Sequence, residues 1–106
     1  MDRNFEDIIR DETNLSPLVA RKGYWYRATG PVTLIRNMEI IQFSMAINTL
    51  VKKYRDVLKG EAEIVQQYCD LEIEEIEERI SALINQKIIE FQVEAKRRGH
   101  DLEYYI

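Results

Sequence analysis

Few residues in this chain could do chemistry on their own. There is one histidine, His100, one cysteine, Cys69, and a dense run of carboxylates. A catalytic histidine needs a substrate or nucleophile within hydrogen-bond reach. His100 sits between Gly99 and Asp101 with no nucleophile motif nearby. One His and one Cys cannot supply a zinc site built on those ligands, nor an intrachain disulfide framework. Cys69 lies between Val65 and Ile73 on an apolar stripe. That placement suits a small buried hydrophobe better than a nucleophile.

The carboxylates are the stronger candidate. Glu72, Glu74, Glu75, Glu77 and Glu78 contain E-x-x-E spacings. Carboxylates three apart share a helix face and can hold Mg²⁺. All-helical nucleotide pyrophosphohydrolases use such pairs against a second carboxylate set on a facing helix. Here the facing stretch offers only Glu39 and Asp56. Gly23, Gly30, Gly60 and Gly99 are too dispersed for a phosphate-cradling loop. The chain is therefore read as non-enzymatic, with no cofactor and no metal.

A binding site is easier to draw. Arg21, Lys22, Arg27 and Arg36 occur with no acid between residues 13 and 38. Folding the chain back on itself brings them toward Lys87, Lys96, Arg97 and Arg98. Arg and Lys neutralise phosphate, and aromatic faces stack on bases. The candidate ligand-binding set is thus Arg21, Lys22, Tyr24, Trp25, Tyr26, Arg27, Arg97 and Arg98. It suits a nucleotide or a single-stranded nucleic acid. The plainer reading has Tyr24, Trp25 and Tyr26 capping the core, with arginines laid over them. Trp25 decides between the two by whether its indole is buried or lines an open groove.

These residues must be positioned by helices. Phe5, Ile8 and Ile9 fall at helical spacing after a possible Asn4 cap, predicting a helix over 2–12. Ser16-Pro17 is a helix-start signal and Gly23 a stop. Residues 24–35 allow a β-hairpin, but an isolated two-stranded hairpin is marginal in water. A helix starting at Gly30-Pro31 is preferred. One long helix is then expected over 31–58, a break at Gly60, and a second helix over 61–98 closed by Gly99. The second carries a stripe of Ala62, Val65, Cys69, Ile73, Ile76, Ile80, Ile84, Ile88, Phe91 and Ala95. Its period is close to eleven residues in three turns, which favours a nearly straight helix.

Between Val32 and Leu58, 15 of 27 residues are apolar. One buried face needs about three positions in seven, so this helix should be covered on more than one side. A second copy is the expected cover, with Met38, Ile41, Met45 and Tyr54 at the subunit contact. Charge adds a further pattern. Eight acids and no base occupy residues 61–78. They are expected to pair with Lys52, Lys53, Arg55 and Lys59 on the neighbouring helix.

The whole is small and acidic: 106 residues, a formal charge of -4 and a sequence pI near 5.1. It is read as one domain over 1–106: residues 1–30 an N-terminal helix and aromatic segment, then the two long helices. The expected fold is all-α, a long antiparallel helical hairpin with the N-terminal helix and aromatic segment packed at its open end, in an oligomeric helical bundle. The acidic balance argues against bulk nucleic-acid binding. No apolar run is long enough to span a membrane. The first residues lack the apolar core of a secretory signal, and a lone Cys suits a reducing cytoplasm. The functional expectation is a homo-oligomeric interaction protein with a protein partner, acting as inhibitor, adaptor or assembly factor. Phage and archaeal-virus accessory proteins are commonly of this general type.

Overall fold

Asn4 starts the first helix as expected: its side chain accepts the Glu6 amide at 2.8 Å. In the computed structural model, which describes residues 3–26 and 32–106, this helix, α1, spans Phe5–Glu12. Thr13 ends it, and a 3-10 turn over Ser16–Val19 follows with Pro17 in its first positions. Gly23 then takes a positive φ of 88°, a conformation glycine adopts without a Cβ penalty.

The next segment corrects the preferred sequence reading. Tyr24–Trp25 forms β1, paired antiparallel with β2, Thr33–Leu34, with Tyr24 opposite Leu34 and Trp25 opposite Thr33. The hairpin holds because it is not isolated. Trp25 is buried edge-on against Phe91, with ring centroids 5.3 Å apart. The Lys87 ammonium donates to the carbonyls of Ala20 and Tyr24, each at 3.1 Å. Packing supplies what local propensity lacks. Gly30 and Pro31, the expected helix start, lie outside the described residues.

The first long helix accordingly begins later than residue 31. A 3-10 turn over Ile35–Asn37 leads to α2, Ile40–Asn48. A π turn over Thr49–Lys53 follows without interruption, then α3 over Tyr54–Gln66. Gly60 does not break the chain. It sits inside α3, and the break falls at 67–72. The final helix, α4, spans Ile73–Arg97 and packs along α3. Gly99 (φ 87°) caps it as expected, with the His100 amide reaching back to the Ala95 carbonyl at 2.9 Å. A last 3-10 turn, Leu102–Tyr105, lies on α2, where the Ser44 hydroxyl donates to the Tyr105 carbonyl at 2.6 Å.

The apolar stripe read from the sequence does line the core, though across two helices. Ala62 and Val65 on α3, and Ile76, Ile80, Ile84, Phe91 and Ala95 on α4, are buried; Cys69, Ile73 and Ile88 are partly so. Phe43, Ile47 and Leu50 face them from α2 and the π turn, with Ile8, Ile9, Leu15 and Leu18 alongside. The N-terminal helix packs elsewhere than expected. Phe5 lies under Arg79 at 5.5 Å, and Phe5 and Ile8 share a depression with Gln66 to Leu71. So α1 sits at the 67–72 turn rather than at the opposite, open end. The molecule is mostly helical and measures 44 × 25 × 18 Å. Among the described residues, no helix is long and apolar enough to cross a membrane.

Candidate functional site: an apolar groove beside the π turn

Five residues in the π turn follow from local chemistry. Asn48 donates its side-chain amide to the Ser44 carbonyl at 2.8 Å, and the Thr49 hydroxyl donates to the Met45 carbonyl at 3.0 Å. Those side chains add donors to carbonyls of the last turn of α2, just ahead of the π turn. π turns are uncommon and frequently lie at functional sites. Here the turn forms one wall of a groove of about 480 Å³.

The groove unites residues from both candidate sets. Trp25 and Tyr26 come from the hairpin; Met38, Met45 and Tyr54 come from the expected subunit contact. Pro17, Ala46 and Thr49 complete most of its apolar lining, and Lys53 stands at its edge. Tyr54 and Trp25 are buried in the single chain, at 4% and 8% exposure. Burial pushes the Tyr54 phenol well above its usual range, with the Glu61 charge adding to the effect. Desolvation disfavours the phenolate, so Tyr54 stays a neutral hydrogen-bonding group.

The four expected contact residues divide by burial in the single chain. Met38 and Tyr54 belong to the buried core of one copy. Ile41 and Met45 are different: they are 70% and 65% exposed. Met45, Thr49 and Lys53 also line a second, shallower depression with Lys52 and Val57. The apolar surface therefore runs on from the groove along the outer side of α2 and into α3.

The basic-aromatic set does not gather in one cleft. Arg21 lies over the Tyr24 ring at 5.3 Å. Lys22 borders a separate groove of about 330 Å³ with Leu34, Ile89 and Val93. Arg27 lies outside the described residues. Arg97 and Arg98 grip the Glu94 carboxylate at 2.6 and 2.7 Å. Arg98 also donates to the Met38 carbonyl at 2.7 Å and lies 4.2 Å from the Phe43 ring centre. The Arg97 and Arg98 hydrogen bonds hold the Glu94 carboxyl below its usual range, against the opposing effect of burial.

Sequence reasoning missed the polar fasteners that do this work. Lys87 is almost wholly buried, and besides its backbone acceptors it meets Glu90 at 2.9 Å. Glu90 in turn accepts the Gly23 amide at 2.8 Å. The available signal was spacing. Lys87, Glu90 and Glu94 follow one another at helical intervals beside Ile84, Phe91 and Ala95, so charges were interleaved with the buried stripe.

The expected pairing of the acidic run also fails. Among the described residues, its one ion pair is Glu75 with Arg79, within α4. Lys52, Lys53 and Lys59 make no ion pair there, and Arg55 donates to Asn85 instead at 2.7 Å. Glu61 is buried and accepts from the Asn14 backbone and side chain at 3.3 Å. Among the described residues, no three His, Cys, Asp or Glu side chains stand close enough to hold a metal ion.

No family model, curated protein or solved structure compared with this chain gives a match.

Proposed function

We propose that the chain is a non-enzymatic interaction protein. Copies self-associate through the outer side of α2 and α3, and the adjoining groove takes apolar side chains of a protein partner. The observation that carries this reading is the pair Ile41 and Met45, both more than 60% exposed, with Met45 lining a groove of about 480 Å³. Single exposed hydrophobes are ordinary. A contiguous apolar surface beside a concavity marks a contact site. The groove volume falls in the range of sites that bind small groups or side chains. A long antiparallel helical hairpin inside an oligomeric bundle is the architecture this contact would give, and an inhibitor, adaptor or assembly factor is the role it fits.

Binding of nucleotides or single-stranded nucleic acid draws less support. The Trp25 ring rests on Phe91, and Arg98 is held by Glu94 and the Met38 carbonyl.

Light scattering tests the proposal at about 50 µM, where micromolar affinities are populated. The wild-type mass should exceed the 12.6 kDa of one copy. Replacing Ile41 and Met45 together by Glu should return it to one copy while the thermal melt stays cooperative. A wild type that remains a single copy overturns the proposal.

A further inference from the structure

Charge in this molecule is sorted by position. The 67–72 turn end gathers the acids of α1 and of the start of α4, with Glu74 and Glu78 both exposed on the same α4 face. Their neighbouring bases are already engaged: Arg3 with Asp11, Arg10 with Asp7, and Arg79 with Glu75. On the outer side of the π turn the sign reverses. Lys52 and Lys53 are exposed beside Met45 and Val57 around a depression of about 630 Å³, with Asp56 the one acid lining it. Neither lysine makes an ion pair among the described residues. In one copy the basic and acidic surfaces therefore do not neutralise each other.

We infer that copies associate head to tail, the acidic turn end of one seated on the Lys52–Lys53 face of the next. This rests on the self-association reading and names the two unlike surfaces that meet. Like surfaces would place Lys52 and Lys53 against a second pair of lysines, which electrostatic complementarity disfavours. Unlike surfaces place them against carboxylates. An exposed aromatic, Tyr68, stands at the acidic end to meet the apolar atoms of Met45 and Val57.

Two surface variants test the inference. One carries Lys52→Glu and Lys53→Glu, the other Glu74→Lys and Glu78→Lys. Each alone should weaken association about tenfold or more, as charge reversal across a contact does. An equimolar mixture should recover association, because one variant keeps the acidic end and the other the basic face. Cooperative thermal melts establish that both variants fold, and recovery on mixing shows it independently. If the wild type associates but Glu74→Lys with Glu78→Lys associates equally well, head-to-tail contact is refuted while self-association stands. If the wild type itself is a single copy, the self-association reading falls first.

Discussion

Trp25 shows how a residue picked for its chemistry can serve the core instead. An exposed indole among arginines would stack on a base; this one lies edge-on to Phe91, which in turn tilts against Phe43 at 5.3 Å. Edge-to-face aromatic pairs contribute beyond their buried area. Trp25→Ala should cost about 3–5 kcal/mol in a urea unfolding series, the range for emptying a large aromatic site. Lys87 makes a second residue-scale case. Removing it strands Glu90 and several carbonyls without a cation, so Lys87→Met should cost about 3–5 kcal/mol. Removing both partners, as Lys87→Met with Glu90→Leu, should cost less than Lys87→Met alone, because no buried charge is left over. Glu94 adds a pH dependence with a definite sign. Its folded carboxyl titrates below its ordinary value of 4.5, chiefly through the Arg97 hydrogen bond and with help from Arg98. Its contribution is thus complete above about pH 4.5 and is lost as the pH falls through the lower folded value. Glu94→Gln should flatten that acid limb of the stability profile measured by chemical denaturation.

Glycine and the helix ends make the corresponding point for elements. In the sequence Gly60 reads as a break between two helices. It lies inside α3 with nothing within 4 Å of where a Cβ would stand. Gly60→Ala should therefore stabilise the protein by about 0.5–1 kcal/mol, the helix-interior cost of glycine. That corresponds to a rise of a few degrees in Tm for a domain of this size. Gly99→Ala should lower Tm, because the cap needs a φ of 87°, a left-handed conformation that favours glycine. The same contrast explains which elements were legible. The α4 stripe and the Gly99 cap are local and periodic, so composition and spacing found them. The hairpin of Tyr24–Trp25 and Thr33–Leu34 is two residues deep and depends on Lys87 and Phe91, more than fifty residues away in sequence. No local pattern encodes that. The 67–72 turn contains neither Gly nor Pro, so the strong punctuation at Gly60 drew the boundary too early.

At the scale of the whole molecule, the candidate site was half legible for a similar reason. The excess of apolar residues between Val32 and Leu58 divides in the single copy: Phe43, Ala46, Ile47 and Leu50 are buried, whereas Ile40, Ile41 and Met45 are exposed. Composition alone could not say that Met38 and Tyr54 would be buried within the same copy while Ile41 and Met45 stay exposed. What remains outside is narrower than expected and lies beside lysines. That mixture gives the assembly a characteristic response to salt. A contact held by apolar burial alone keeps or gains strength as salt rises. A contact steered by exposed lysines and carboxylates weakens, since the screening length falls from about 30 Å at 0.01 M to about 3 Å at 1 M salt. The surfaces around Lys52, Lys53, Glu74 and Glu78 are all exposed, so screening reaches them fully. At fixed protein concentration, the mass measured by light scattering should fall steadily as NaCl rises across that range. Ile41→Glu, placed on the same face, should lower the mass at every salt concentration without removing the slope. A mass that holds or climbs with salt would assign the contact to Ile41 and Met45 alone. The paired lysines would then be left with no part in assembly.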